Sequence, residues 1–426
     1  MKVRMRRVGR GLAAVCVVGA AMAVAACGSS SSNSSSGGSS GGSASTGGSS
    51  SSPVKLMIIA SVNSPIQSFP EVQAAADVAA KNVNAAGGIR GHKVEILFCN
   101  SASDPNKAQD CARTAVQDKV DAVIGQIDIF TNLNVPILQA AGIPDIGLSS
   151  NGNPIDFTNP DVYPLQAGTF GGYLAEAAGL KELGKTRIAV ATADVPSAIV
   201  NAKGIEAASK IVGVKFEGYV TIPDTGVTDY SPYAEKLAKL NPQGIVNILS
   251  PAPDLGILKA AQSIGLNVQW LNQAQAFGEQ EAAQANGLGN GMLITSPFPS
   301  VRSTQYPLIQ AFDSQMEAAG ISPQNTSATT YPHWMLGINS WLTVWGIDKL
   351  AQTFTGDITP ASLKTALGTA TNLQLPGGFV WSPATPGPKG YDRVSNWTQY
   401  FLTIKNGQLV TTNLKPYSSA PVAAAL

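Results

Sequence analysis

The chain alternates short apolar runs with segments of helical periodicity from residue 54 onward. Val54 to Ala60 is apolar with little alternation, the pattern of a strand buried on both faces. Pro70 opens a helix in which Val72, Ala75, Ala76, Ala79 and Val83 recur at i, i+3, i+4, i+7 and i+11, one apolar face that Gly87-Gly88 terminates. The same reading gives a strand over Val94 to Phe98, a helix over Pro105 to Asp118 and a strand over Asp121 to Gly125. A helix over Thr131 to Ala141 and a strand over Pro144 to Leu148 follow. A loop-rich stretch comes next. Strands then resume at Arg187 to Thr192, Lys215 to Ile222, Gly244 to Leu249 and Asn267 to Leu271, with helices between them. Later come a long helix from Trp334 to Ala351 and short strands near Gly378-Val380, Gln399-Ile404 and Gln408-Val410.

This rhythm predicts an α/β protein of two doubly wound, parallel-sheet lobes joined by a hinge of several strands. The expected boundaries are 53–171 with about 297–350 for lobe I, and 172–296 with about 351–426 for lobe II. In open α/β sheets ligands bind beyond the carboxyl ends of the strands, beside helix amino termini. Two lobes facing each other through such ends predict a cleft that closes by hinge motion over a small molecule.

The first 52 residues follow a different pattern. A basic head (Lys2, Arg4, Arg6, Arg7, Arg10) precedes an apolar run from Gly11 to Ala26, which is short for a membrane span and suits an export signal. Ala25-Ala26-Cys27 resembles a lipobox, which implies a signal peptide over 1–26 and lipidation of Cys27. Gly28 to Ser52 is almost pure Ser and Gly, a solvated tether with an r.m.s. reach of roughly 25–30 Å. The expected location is therefore the extracytoplasmic face of the cell membrane, with the lipid as the only membrane contact.

Composition narrows the function classes. Net charge is +1 with 13% charged residues, and no basic block follows the signal, so nucleic acid is not an expected partner. Of the four cysteines, Cys16 leaves with the signal and Cys27 takes the lipid. Cys99 and Cys111 remain, and outside the cytoplasm such a pair is expected to form a structural disulfide, stabilising by roughly 3 kcal/mol on the chain-entropy model. Only two histidines are present, His92 and His333, neither at ligand spacing from the cysteines, so neither a metal nor a cofactor is expected. A secreted hydrolase is not supported: no G-x-S-x-G lies on a strand–helix turn, and His92 has no nucleophile near it in sequence. The chain is read as a non-enzyme.

The run Val83-Asn84-Ala85-Ala86-Gly87-Gly88-Ile89-Arg90-Gly91-His92-Lys93-Val94 resembles the turn after the first helix of type I periplasmic binding proteins, in their leucine/isoleucine/valine-binding branch. Asp104-Pro105-Asn106-Lys107-Ala108, Val123-Ile124-Gly125, Ala141-Gly142-Ile143-Pro144, Asn153-Pro154, Arg187-Ile188-Ala189-Val190 and Gly377-Gly378-Phe379-Val380-Trp381 follow in the family's order. The resemblance spans about Val54 to Val410. It implies a monomeric substrate-binding lipoprotein that captures a small molecule and delivers it to the permease and ATPase subunits of an ABC transporter. A sensing lipoprotein of the same fold is the alternative.

The resemblance also implies which loops hold the ligand. After the first strand come Ser64 and Phe69, the latter flanking the ligand or stapling the core. After the third come Asp128, Ile129, Phe130 and Thr131, where free amides at a helix start could meet an anionic or carbonyl oxygen. Amino-acid-binding members place a serine here, whereas an ionised Asp128 facing the cleft would repel a carboxylate, unless it caps the helix. Ser149, Ser150 and Asn151 follow the fourth strand. Lobe II offers Ser197, Ser250, Gln273 and Gln275, and the family's acid for an α-ammonium group is missing after Leu271. Glu279 and Glu281 read as first-turn helix residues. With the clamp altered at two elements, a free branched-chain amino acid is not the expected ligand. His333 and Trp334 begin the long helix either as cleft-edge or as packed hinge residues. Trp341 and Trp345, at i and i+4, read as core.

Overall fold

A computed structural model describes residues 52–64, 66–325 and 330–426. The export signal, Cys27 and all of the tether before Ser52 lie outside these residues. No helix among the described residues is long and apolar enough to cross a membrane.

In the first lobe, β1 (Val54–Ala60), α1 (Pro70–Ala85), β2 (Val94–Asn100), α2 (Pro105–Gln117), β3 (Ala122–Ile124), α3 (Thr131–Ala140), β4 (Asp145–Ile146), α4 (Ile155–Thr158) and β5 (Val162–Tyr163) alternate. Their sheet has the order β2-β1-β3-β4-β5 and every pairing is parallel. Interior strand β1 is buried along almost its whole length because helices cover both faces, which is why its sequence lacks alternation. Cys99 at the end of β2 and Cys111 in α2 form the expected disulfide, with Cα atoms 5.5 Å apart.

The second lobe is formed by α5 (Gly168–Glu182), β6 (Arg187–Ala193), α6 (Pro196–Val212), β7 (Lys215–Ile222), α7 (Ser231–Lys239), β8 (Gly244–Ile248), α8 (Pro251–Ser263), β9 (Gln269–Gln273), α9 (Glu279–Gln284) and β10 (Leu293–Ser296). The chain then returns through α10 (Pro307–Ala318), α11 (Trp334–Ala351), α12 (Pro360–Leu367), β11 (Leu373–Gln374) and β12 (Val380–Trp381). It ends in β13 (Thr398–Lys405), β14 (Gln408–Thr411), β15 (Tyr417–Ser418) and α13 (Ala420–Ala423). The second sheet runs β14-β13-β10-β9-β8-β6-β7; β6 to β10 are parallel, and β13 and β14 extend the edge antiparallel.

Three expectations are corrected. The stretch before Arg187, expected to be loop-rich, contains the long helix α5. This helix is buried from Gly168 through Leu180 and therefore shows no polar face for periodicity to reveal. Strand β9 lies two residues later than expected and carries the buried amides Asn272 and Gln273, which an apolar criterion excludes. Finally, α12, β11 and β12 do not belong with lobe II. Leu363, Leu367, Leu373 and Trp381 join the apolar cluster around α11, which also packs on α1. The cause is α11 itself: nearly all its residues are buried, so it needs cover on the side away from α1. Trp334 and Trp341 are buried there, and the indole N–H groups of Trp341 and Trp345 both donate to Gln315 Oε1, at 2.8 and 3.3 Å.

Candidate functional site

Both sheets have a point where the chain order reverses. In the first, β1 sits between β2 and β3, and in the second β6 sits between β7 and β8. The loops leaving such a point diverge and open a crevice at the carboxyl ends of the strands.

At the first sheet's carboxyl edge the polar side chains are buried and bonded to one another. Ser61 Oγ lies 3.2 Å from Ser101 Oγ and 2.9 Å from Ser103 Oγ. Asp128 is fully buried, and its Oδ1 accepts the Phe130 N–H at 2.6 Å, shaping the turn that leads into α3. Burial pushes its carboxyl above the ordinary range, against the hydrogen bonds from Ser101 and Phe130. Thr131 is buried and its Oγ1 accepts from Asn153 Nδ2 at 2.9 Å. Ile129 and Phe130 are half-buried.

The loop after β4 divides its roles. Ser150 Oγ donates to Asp156 Oδ2 at 2.7 Å and accepts from Gly152 N at 2.9 Å, so its hydroxyl is committed inside lobe I. Burial raises the Asp156 carboxyl to about 7, opposed by hydrogen bonds from Thr131 and Ser150 and from backbone N–H groups. Ser149 is buried, and its Oγ receives Gln166 Nε2 at 3.4 Å. The chain crosses to lobe II directly above: Thr169 N donates to Ser150 O at 3.1 Å. Gly168 permits this approach, since at φ +60° a Cβ there would stand 2.6 Å from Ser150 O.

Asn151 faces the other lobe. Its Oδ1 accepts from Gln275 Nε2, and Gln275 Oε1 accepts from Thr169 Oγ1 at 2.9 Å. Gln275 N donates to Gln273 Oε1 at 2.8 Å, so the turn after β9 holds the amide in place. Beside it, the Phe69 and His333 rings meet edge to face at 5.3 Å, and His333 Nδ1 lies 3.3 Å from Ala274 O. Phe69 is 2% exposed.

The remaining candidates stand apart from this junction. Ser64 is half-buried, its Oγ accepting Ile66 N at 3.2 Å. Ser197 is exposed on the first turn of α6, and Ser250 Oγ donates to Asp224 Oδ1 at 2.7 Å. Glu279 pairs with Arg302 through two contacts of 2.7 Å, and Glu281 accepts Gly278 N at 2.9 Å at the start of α9. Neither replaces the missing acid.

Three residues at the junction carried no readable signal: Gln166 and Thr169 lie at the crossing into the unread helix α5, and Glu71 in the first turn of α1 is wholly buried. Burial raises the Glu71 carboxyl to about 8, outweighing the backbone N–H groups of Glu71 and His333, and the charge of Glu281 raises it further. Among the described residues no group of three or more His, Cys, Asp or Glu side chains is placed to hold a metal ion.

Residues 53–390 match the family model described as periplasmic binding protein. The leucine-, isoleucine-, valine-, threonine- and alanine-binding protein of Pseudomonas aeruginosa is 26% identical over 260 residues. That alignment covers 57% of this chain and 66% of the relative, just under two thirds of its length. The Leu/Ile/Val/Thr-binding protein of Salmonella typhimurium is 22% identical over 343 residues, covering 77% of this chain and 87% of the relative. Among solved structures, an ABC-transporter solute-binding protein of R. palustris in complex with 4-hydroxybenzoate superposes with a TM-score of 0.71 at 19% identity, over 87% of this chain and 98% of its own. A leucine-binding protein from Thermotoga maritima gives 0.68 at 17%, over 84% and 97%. With its two switch-point sheets and this match across residues 53–390, the chain belongs to the periplasmic binding protein family, in the type I class that includes the Leu/Ile/Val-binding proteins.

Proposed function

We propose that this chain is an extracytoplasmic solute receptor, anchored through Cys27, that closes its two lobes over a small polar molecule and delivers it to an ABC permease and its ATPase. The chain acts as a monomer with one ligand per chain and performs no chemistry on it. The observation that carries this reading is the Asn151–Gln275 hydrogen bond, which joins loops from opposite lobes at the carboxyl ends of β4 and β9. An amide pair has donors and acceptors on both partners, so a ligand bearing amide, carboxylate or hydroxyl groups can insert between them and exchange one direct bond for two.

The junction is rich in amides and hydroxyls, with Ser149, Asn151, Gln166, Thr169, Gln273 and Gln275 around it. Asp128 is fully buried with its Oδ1 turned to the Phe130 N–H, and burial favours its neutral form, which weakens the repulsion that an ionised carboxylate there would exert on an acidic ligand. Supporting the ligand class, relatives are named for binding amino acids and a structural neighbour holds 4-hydroxybenzoate. The reading is therefore an amino-acid-like, amide or related ligand whose polar groups meet side-chain amides where other members use charge.

A thermal-shift screen of the purified chain over amino acids, amides, aromatic acids, polyols and ureas tests this. The expected result is stabilisation by one chemical group, following RT ln(1 + [L]/Kd), with the compound recovered unchanged. Steady product release from any compound in the screen contradicts the reading.

A further inference from the structure

A second concavity lies away from the cleft, where the chain crosses between the lobes. It has a volume of about 510 Å³ and shares no lining residue with the Asn151–Gln275 junction. One wall comes from the first turn of α10, a helix that packs on α1, and from the turn before β12, which is seated on α10. The other comes from the start of β13, which is hydrogen-bonded into the second sheet opposite β10, with Ser296 facing Tyr400 across the ladder.

The walls are preformed. Gly377, at φ +66°, lies so close to α10 that a Cβ would stand 2.3 Å from Leu308 Cα, so the turn is seated flush on that helix. Across the groove the Tyr306 and Tyr400 rings meet edge to face at 5.8 Å, and Phe298 and Phe379 pack at 5.8 Å beside them. Among the described residues the hydroxyls of Tyr306, Tyr400, Thr385 and Ser395 make no hydrogen bond to another residue.

The chemistry of the lining is distinctive: aromatic rings, prolines, hydroxyls and one amide, with no charged side chain among the sixteen lining residues. Such a surface offers flat apolar faces and uncommitted hydrogen-bonding groups but no counter-ion. It disfavours an anion or cation, which would lose hydration without compensation. It suits a ring with apolar C–H faces and a rim of hydroxyls, since the faces pack on aromatic rings while the rim bonds to hydroxyl and amide groups.

We infer that this groove behind the hinge is a second ligand site, for an uncharged, hydroxyl-bearing ring compound of the carbohydrate class. It stands on the groove alone and does not depend on the identity of the cleft ligand. Because its two walls belong to different lobes, an occupant contacts both and biases their relative position. A sugar in the groove and a solute in the cleft are then linked through the same hinge, each altering the other's affinity by the same factor.

The test is calorimetric titration of the purified full chain with methyl glucoside and maltose, with phenol and benzoate as ring-bearing controls without the hydroxyl rim. One of the two sugars is expected to bind, benzoate not at all, and phenol more weakly than the sugar. Tyr306→Ala and Tyr400→Ala are expected to weaken sugar binding about tenfold each. Thr385→Trp, at an exposed rim position, fills the groove without touching the core and is expected to abolish binding while melting at the parent temperature. This variant keeps the test informative if an alanine variant fails to fold. Failure of both sugars to bind overturns the inference. So does preferential binding of phenol or benzoate, and so does a sugar affinity that follows Asn151 and Gln275 instead of Tyr306, Tyr400 and Thr385.

Discussion

The two rims of the cleft are built differently. On the first lobe, Ser61, Asp128, Thr131 and Ser150 are buried and hydrogen-bonded within their own lobe. On the second, Ser197 is exposed, Ser250 bonds outward to Asp224, and Gln275 reaches across to Asn151. The first rim is thus a fixed surface whose shape exists before any ligand arrives. The second presents Ser197 to solvent and Gln275 to the opposite lobe, so the bonding at these two positions changes when the cleft opens or fills. A fixed rim sets shape, and an exchanging rim registers occupancy. That division suits a receptor whose closure depends on what lies between the lobes.

The largest expected effect is on the pH dependence of the buried carboxyl groups of both lobes. Glu71, Asp156 and Asp254 have folded values raised to about 8, about 7 and about 7 from ordinary values of 4.5, 3.8 and 3.8, in each case chiefly by burial. Between those limits the unfolded chain holds fewer protons than the folded one, so stability falls as pH rises through the window and is fully present below it. Urea unfolding at pH 5 and pH 8 is expected to show the higher midpoint at pH 5. Glu71→Gln, which keeps the shape without the charge, is expected to make the fall shallower, by at most about 1.4 kcal/mol per pH unit. A rise in stability with pH would break this part of the account.

Next in size is the disulfide. Replacing Cys99 and Cys111 together by serine is expected to lower lobe I stability by roughly 3 kcal/mol in urea unfolding, with little change in ligand affinity for the folded protein. Ser150→Ala follows, leaving one buried Asp156 oxygen without its donor, at a cost of about 1–3 kcal/mol in the same measurement. The smallest effect belongs to the other rim. Ser197→Ala and Ser250→Ala are expected to stay within about 0.5 kcal/mol of the parent. Equal losses from Ser150→Ala and Ser197→Ala would erase the distinction between the rims.

The elements legible in the sequence were those whose patterning matches their environment. Strands β1 and β7 and helix α11 have the expected bounds, because an apolar run marks β1, β-favouring residues mark β7 and a Trp-rich segment marks α11. Helix α5 was illegible for the opposite reason: its Gly-rich residues are buried all round, so nothing repeats with a helical period. β9 slipped because Asn272 is buried and donates to Asp254, a partner eighteen residues earlier that no local pattern shows. At the site, both Asn151 and Gln275 were legible as candidates from their positions after strands. Their bond spans 124 residues of sequence and belongs to the packing of the lobes. Gln166 and Thr169 were missed together with the helix that places them. Asp128 carried two expectations, repulsion of a carboxylate or a cap for the helix; it is buried, with one oxygen accepting the Phe130 N–H in the turn before α3.

The most direct test is a calorimetric titration of the compound that gives the greatest thermal shift, into the parent chain, Asn151→Ala and Gln275→Ala. The account predicts one ligand per chain, no conversion of the compound, and an affinity reduced about tenfold in each variant, as expected for loss of one polar contact in a closed cleft. An affinity unchanged in both variants would place the ligand elsewhere and contradict the assignment of the cleft.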